Sequence, residues 1–380
     1  MATERLYEGA EYCREFTAQV LSCTQKNAGW EVILNRTGFY PEGGGQSADT
    51  GTLGTARVLD VQRRGDEIVH FCDRALGGTV HGVIDWARRM DFMRQHGGEH
   101  ILSGLIHARC GFDNVGFHLG AELVTADFDG ELTMEQLLVL ERKANRIVEE
   151  NVPIRCYYPT QEELRTLPYR AKDNLHGAIR FVEIGDVDRC ACCGTHVRAS
   201  GEIGLILIVS AVKFRGGTRV ELLCGDRAAR YVQAIFAQNR AVSQALSAKP
   251  TATYEAVRRL QEEKAAAQRQ TAALEARLIA LLAAEAAGKE RVLLIEPQLS
   301  PNAQRALATR IIQAGAVCCL VCAADGTGYR YTLASNGADL RETVKRLNAC
   351  LCGRGGGRPD FAQGSIQAGQ AQIQAFWAEI

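Results

Sequence analysis

Two short segments far apart in this chain have to meet. His96-Gly97-Gly98-Glu99-His100 carries histidines at i and i+4, the spacing that sets two imidazoles side by side on one helix face. Cys192-Cys193-Gly194-Thr195-His196 repeats that spacing with a cysteine and a histidine. Imidazole nitrogen and thiolate sulfur are the donors zinc prefers, and four is its usual complement. The chain holds 8 histidines, and a zinc site would use three of them, His96, His100 and His196, together with Cys192. One Zn2+ per chain is the expected cofactor. Cys190 and Cys193 flank Cys192 closely enough to replace it as ligand. The plainer alternative is a pair of helix-facing histidines and a buried cysteine cluster without metal.

A chain of 380 residues is too long for one ordinary core, so two to four domains are expected. A hydrophobic content of 46% and a charged content of 23% are those of a soluble globular protein. The 14 cysteines suggest a disulfide framework only at first sight. Met1-Ala2-Thr3-Glu4-Arg5 lacks the basic-then-apolar plan of a secretory signal. Most cysteines sit singly in apolar runs, where a reduced thiol acts as a small hydrophobe. A cytoplasmic, reduced protein is the expectation. Apolar runs such as 204–209 are far short of the ~20 residues that span a bilayer, so no membrane partner is expected. The formal net charge is zero, so nucleic acid would have to be held by a local basic patch or by shape.

Short β-rich runs at 16–23, 30–34, 56–61, 67–71 and 79–84, parted by Gly, Asp or Asn turns, predict a small barrel or twisted sheet. Within it, Thr37-Gly38-Phe39-Tyr40-Pro41-Glu42-Gly43-Gly44-Gly45-Gln46 suits neither strand nor helix. Three consecutive glycines cost backbone entropy, which points to unusual φ/ψ or a close approach to a ligand, or else to a flexible hairpin loop. From Trp86 the pattern is helical, and Gly97 and Gly98 weaken that helix by roughly 1 kcal/mol each relative to alanine. Strands are expected at 116–119 and 122–127. A helix follows from Thr133 to about Asn151, opened by the Thr133/Gln136 capping box. Strand 154–158, helix 161–166 and strand 178–184 lead to Cys192, and a two-stranded ribbon at 204–212 and 218–224 turns at Arg215-Gly216-Gly217.

Composition changes at Asp226 to Ala, Gln, Glu and Arg, with two helical apolar stripes parted by Pro250: an αα-hairpin or short coiled coil acting as a spacer arm. The last stretch reads as a βαβ unit (291–295, 301–315, 316–322), then a strand at 329–334, a helix at 339–351, a glycine-rich run at 353–365 and a closing amphipathic helix. His96-x-x-Glu99-His100 also fits the H-x-x-E-H pattern of inverted zinc peptidases, with Glu99 as general base. That chemistry needs an open fourth position, whereas a cysteine and a histidine would fill the shell here.

The motif Thr37 to Gln46 with Asp49-Thr50-Gly51, the histidine pair, Cys192 to His196, and then Gly201-Glu202-Ile203-Gly204 and Gly217 to Glu221, in this order, resemble the editing domain of alanyl-tRNA synthetase. The run 353–365 resembles that synthetase's C-terminal tRNA-contacting domain. With no room for an aminoacylation domain, the chain looks like the long form of the free-standing alanyl-tRNA editing proteins, the AlaX type. The resemblance implies an α+β chain in four parts. These are an N-terminal β-barrel-like domain carrying the glycine motif (1–88), a zinc-containing α+β editing domain (89–225), the helical arm (226–288) and a C-terminal tRNA-contacting α/β domain (289–380).

It further implies a deacylase that hydrolyses, in trans, the ester of mischarged tRNA(Ala), chiefly with serine and sometimes glycine. Zinc falls to His96, His100, Cys192 and His196. Thr37 and Gln46 would line the amino-acid pocket, and Gly43, Gly44 and Gly45 would let the terminal adenosine approach closely. A hydroxyl on Thr37 can bond the serine hydroxyl, and a site built for that bond rejects alanine. Relatives carry Thr after the first histidine and Thr or Gln before the second, so no role for Glu99 is inherited. Cys193 stands where a glycine is more usual.

Arg354, Gly355, Gly356, Gly357 and Arg358, with Arg341, Lys345 and Arg346 nearby, form the expected tRNA-contacting surface, recognising shape as much as phosphate. A homodimer through the arm or the C-terminal domain is an open expectation. The competing functional class is a tRNA-binding or oligomerisation protein whose editing site is inactive.

Overall fold

In the first half of the chain, buried and exposed side chains alternate along strands such as Thr79–Ile84, where every second residue faces inward. The computed structural model describes residues 2–9, 12–26, 29–171 and 178–380. The chain divides into two compact units, Met1–Asn239 and Arg240–Ile380.

In the first unit, six strands close into a barrel in the order Glu15–Lys26, Gly29–Leu34, Glu67–Cys72, Ala56–Arg64, Gly51–Leu53 and Thr79–Ile84. Phe16, Val32, Leu34, Phe39, Leu53, Val58 and Ile68 fill its interior. The three-residue strand Gly51–Leu53 is too short to register as a periodic pattern, yet it pairs with both Ala56–Arg64 and Thr79–Ile84 and so closes the ring.

A second core lies against the helix Trp86–Cys110. This helix is capped by Asp85, whose side chain accepts the Arg88 N–H, and ends on Gly111 in the left-handed conformation. It packs with helix Met134–Glu150 beside a four-stranded antiparallel sheet ordered Ile206–Phe214, Gly217–Cys224, Val124–Phe128 and Asn114–Leu119. The expected Thr133/Gln136 capping box is formed. A three-stranded antiparallel sheet, Ile154–Tyr157, Phe181–Ile184 and Asp188–Ala191, delivers the chain to Cys192. The cost of glycine within the long helix has a packing reason: a Cβ at Gly98 would stand 2.2 Å from Cys224 Sγ. The helix can lie against the sheet only where that side chain is missing.

Barrel and helix fall within the same compact unit, and the glycine motif is bolted to the helix. Arg89, fully buried, donates to both carboxylate oxygens of buried Asp49 and to the Gly38 carbonyl, and Asp49 accepts the Tyr40 N–H. The two arm helices, Gly225–Ala245 and Thr253–Glu285, fall largely on opposite sides of the unit boundary.

In the second unit, a five-stranded sheet runs Arg291–Ile295, Cys318–Asp325, Gly328–Ser335, Phe361–Ile366, Arg354–Arg358, with only the first pair parallel. Helix Pro301–Gln313 and the end of Thr253–Glu285 pack with one cluster of core residues, and helices Arg341–Cys350 and Gln370–Ala378 with another. The glycine-rich run is strand: Arg354–Arg358 and Phe361–Ile366 form an antiparallel hairpin. Its glycines permit the strands to pair closely beneath Tyr331, since a Cβ at Gly355 would stand 2.4 Å from the Tyr331 hydroxyl. None of the 14 cysteines is held in a disulfide among the described residues. Among the described residues no helix is long and apolar enough to cross a membrane.

Candidate metal centre and its cavity

One turn of the helix Trp86–Cys110 and the loop after strand Asp188–Ala191 converge. The side-chain donors of His96, His100, Cys192 and His196 all lie within 4.8 Å of one another. Cys192 Sγ is 3.5 Å from Nε2 of His96 and 3.5 Å from Nε2 of His196. With Zn–S near 2.3 Å and Zn–N near 2.05 Å, a tetrahedral zinc would separate such a pair by about 3.5 Å. The spacing therefore fits the ion. Cys193, the alternative donor, is exposed. Cys190 groups instead with His100 and Asp188.

The tautomers follow from neighbours the motifs do not contain. Gln46 Oε1 accepts the Thr195 N–H at 3.3 Å while its Nε2 donates to Thr195 Oγ1 at 2.9 Å, which fixes the amide's orientation. The ring nitrogen facing that oxygen, His96 Nδ1 at 3.3 Å, must then carry the proton, leaving Nε2 for the metal. His100 is set the same way: its Nδ1 donates to Asp188 Oδ2 at 3.0 Å. Asp188 is itself gripped by Arg170, Nε to Oδ1 at 2.7 Å and Nη2 to Oδ2 at 2.8 Å. Carboxylate and amide partners of this kind orient metal-binding histidines. His196 Nδ1 is buried and without a partner among the described residues.

The four side chains shift one another's protonation. Burial alone would raise the Cys192 thiol, but positive charge at His96 and bonds from His100, His196 and His96 hold it well below the usual thiol range. Burial opposes charge on His100, yet Asp188 and Cys192 raise it well above the ordinary imidazole value. Burial, then the charge of His96, depresses His196 to about 3. A buried thiolate is stabilised here by shared positive charge, which a divalent ion supplies with better geometry.

Beside the cluster opens a cavity of about 730 Å³, lined by His96, Glu99, His100, Asn114, Phe117, Cys192, Tyr40, Gly43, Gly44 and others. Phe117 stacks on His96, ring centroids 5.0 Å apart. Gly45 (φ +85°) lies so near that a Cβ would stand 2.7 Å from the Phe117 ring, and its carbonyl accepts the Leu119 N–H, fastening the glycine loop to the cavity wall.

Other sequence-derived residues go elsewhere. Thr37 does not reach the cavity lining: fully buried, its hydroxyl bonds His70 Nε2 at 2.8 Å and accepts the Phe39 N–H. The short motif strand Arg36–Thr37 pairs with Glu4–Arg5 and turns that side chain into the barrel. Gln46 braces His96 and does not line the cavity. Arg354 and Arg358 are exposed on the edge hairpin of the second unit. Asp188, Arg170 and Asn114 carry no spacing signal in the sequence; only the fold assembles them.

The sequence has relatives. Residues 179–221 match the threonyl and alanyl tRNA synthetase second additional domain, and residues 10–88 match the class II (A) tRNA synthetases. The chain is 32% identical over 293 residues to alanyl-tRNA editing protein Aarsd1-A of Xenopus laevis, covering 72% of this chain and 71% of that protein. It belongs to the alanyl-tRNA editing protein family. An alanine–tRNA ligase of Ignicoccus hospitalis is 34% identical over 383 residues, 95% of this chain but 41% of the ligase. This editing-protein family member thus spans less than half of the ligases it matches. The solved C-Ala domain of Aquifex aeolicus alanyl-tRNA synthetase matches 24% of this chain and 91% of that domain at 18% identity, with a TM-score of 0.22, a likeness too slight to build on.

Proposed function

We propose that this chain is an aminoacyl-tRNA deacylase acting in trans, hydrolysing the ester of tRNA(Ala) charged with serine, and with glycine as a further substrate. The observation that carries this reading is the four-donor cluster of His96, His100, Cys192 and His196, three of which, His96, His100 and Cys192, line the cavity. Those four residues would hold one zinc ion, which when bound supplies a positive centre for the ester carbonyl or its terminal ribose.

The chain's own groups do the rest. Gln46 and Asp188 keep His96 and His100 in the ligating tautomer. The cavity volume is in the range that encloses a ligand the size of an aminoacyl-adenosine, with Tyr40, Gly43 and Gly44 along one wall. Phe117 offers an apolar face next to His96 and helps exclude bulk water from the reacting ester. Arg5 and Arg63 at the cavity lining suit the phosphates that lead to the terminal adenosine. Arg354 and Arg358 in the second unit are the proposed distal contact with the tRNA body. A peptidase reading is disfavoured by the donor set: four protein ligands fill a tetrahedral shell and leave no position for the water that such enzymes use.

The test is direct. Incubated with Ser-, Gly- and Ala-tRNA(Ala), the zinc-loaded protein is expected to release serine and glycine and to spare alanine. Loss of none of the three esters would leave a tRNA-binding protein with an inactive site.

A further inference from the structure

Glu99 is the residue the motif comparison leaves without a role, and its surroundings are those of a ligand-binding group. It lies between the two helix ligands, 5% exposed, and faces the cavity. Its Oε1 accepts from Ser103 Oγ and, at 2.5 Å, from Asn114 Nδ2. Both partners are neutral. Oε2 makes no hydrogen bond or ion pair among the described residues, and the Glu99 side chain lines the cavity. The nearby guanidinium of Arg170 is committed by two bonds to Asp188. The charge of Arg170 acts on Glu99 only through space, so a buried carboxylate bonded solely by neutral groups is stabilised further when a ligand brings a cation into contact with it.

We propose that Glu99 binds the free α-ammonium of the aminoacyl ester, making the site selective for unacylated aminoacyl-tRNA over peptidyl- or N-acyl-aminoacyl-tRNA. The inference rests on the deacylase reading and names a recognition element within it. In an aminoacyl ester the ammonium is one carbon from the carbonyl that must be attacked. Glu99 is one helical turn from His96 and adjacent to His100, so a group anchored on Oε2 sets the carbonyl beside the metal cluster. An N-acyl group replaces the cation with a neutral amide, which leaves Oε2 buried and unpaired, and adds bulk where the carboxylate stands. Ser103 and Asn114 hold the carboxylate from behind, so its free oxygen is presented in one orientation.

The experiment uses the full zinc-loaded chain with Ser-tRNA(Ala) and N-acetyl-Ser-tRNA(Ala), and calorimetric binding of 3′-seryl-amino-adenosine and its N-acetyl form, which cannot be hydrolysed. The wild type is expected to prefer the free amine in both assays by roughly 10- to 100-fold, the worth of a charge-assisted contact. Glu99→Gln, with zinc content and melting temperature checked, should lose most of that preference. Equal handling of the two forms by the wild type overturns the proposal, and needs no variant to fold. So does a Glu99→Gln protein that keeps the preference while turnover falls, because the carboxylate would then serve the chemistry. Absent hydrolysis with an intact binding preference would refute the deacylase reading and leave Glu99 as an ammonium site.

Discussion

Replacing Asp188 by asparagine is the perturbation that probes how the metal cluster is held. The carboxylate takes the His100 Nδ1 proton at 3.0 Å and two bonds from Arg170, and its side chain is almost fully buried. An asparagine of nearly equal size has one oxygen and one NH2 group. Arg170 is donor-only and claims the oxygen, so the NH2 turns toward His100. His100 can then accept at Nδ1 only by moving its proton to Nε2, the nitrogen that faces the cluster, and a protonated Nε2 cannot ligate. Loss of such an outer partner typically weakens metal binding 10- to 100-fold, which is about 1.4–2.7 kcal/mol. The assay is zinc competition against a chromophoric chelator, read beside the melting temperature with and without zinc. The expected result is weaker zinc binding and a smaller zinc-induced rise in melting temperature, with the zinc-free protein still folded. Unchanged zinc affinity in a folded Asp188→Asn protein would refute the tautomer argument.

Other expectations follow from the same geometry. His70 is fully buried, donates Nδ1–H to the Val32 carbonyl at 3.1 Å, and is lowered by burial from 6.5 to about 4. A folded-state value below the unfolded one means that the unfolded chain binds the proton more tightly between those two pH values. Stability from this group is therefore intact above about pH 6.5 and falls by roughly 3 kcal/mol as pH drops to 4; denaturant titrations of wild type and His70→Gln should differ in that slope. Arg89→Met strands the buried Asp49 carboxylate and should cost about 3–5 kcal/mol, part of which is recovered when Asp49 is made apolar as well; equal stability of Arg89→Met and wild type in urea would count against the bolt between barrel and helix. Arg354→Ala and Arg358→Ala should each weaken tRNA binding and reduce the salt slope by about one, measured by filter binding across salt concentrations.

The parts legible in the sequence are those written in local chemistry. Thr133 and Gln136 announce a helix start because a capping box needs only residues three apart, and both its bonds are made. The strand Thr79–Ile84 alternates strictly and is found at the bounds its pattern predicts. His96, His100, Cys192 and His196 are each paired at helical spacing, and the structure brings the two pairs together. What is missed is non-local. Asp188, on the strand Asp188–Ala191 and gripped by Arg170, acts on His100 in the helix, and no periodicity links them. Glu99 looks incidental in a motif but is defined by Asn114, which the sheet strand Asn114–Leu119 supplies. The contact of Thr37 is hidden in the same way: strand pairing of Arg36–Thr37 with Glu4–Arg5 accompanies a bond to His70 that the glycine run beside it does not announce. The glycine-rich hairpin Arg354–Arg358 and Phe361–Ile366 hides because glycine lowers strand propensity, while the close approach of Tyr331 requires it.

The central claim is that a metal held by these four side chains serves ester hydrolysis on charged tRNA(Ala). The most direct measurement follows Ser-tRNA(Ala) hydrolysis and bound zinc together in wild type, chelator-treated protein and the Cys192→Ala variant. The account predicts one zinc per chain in the wild type, serine release that falls with zinc content, and recovery on adding zinc back to the chelated wild type but not to the variant. Full serine release by metal-free protein would contradict it.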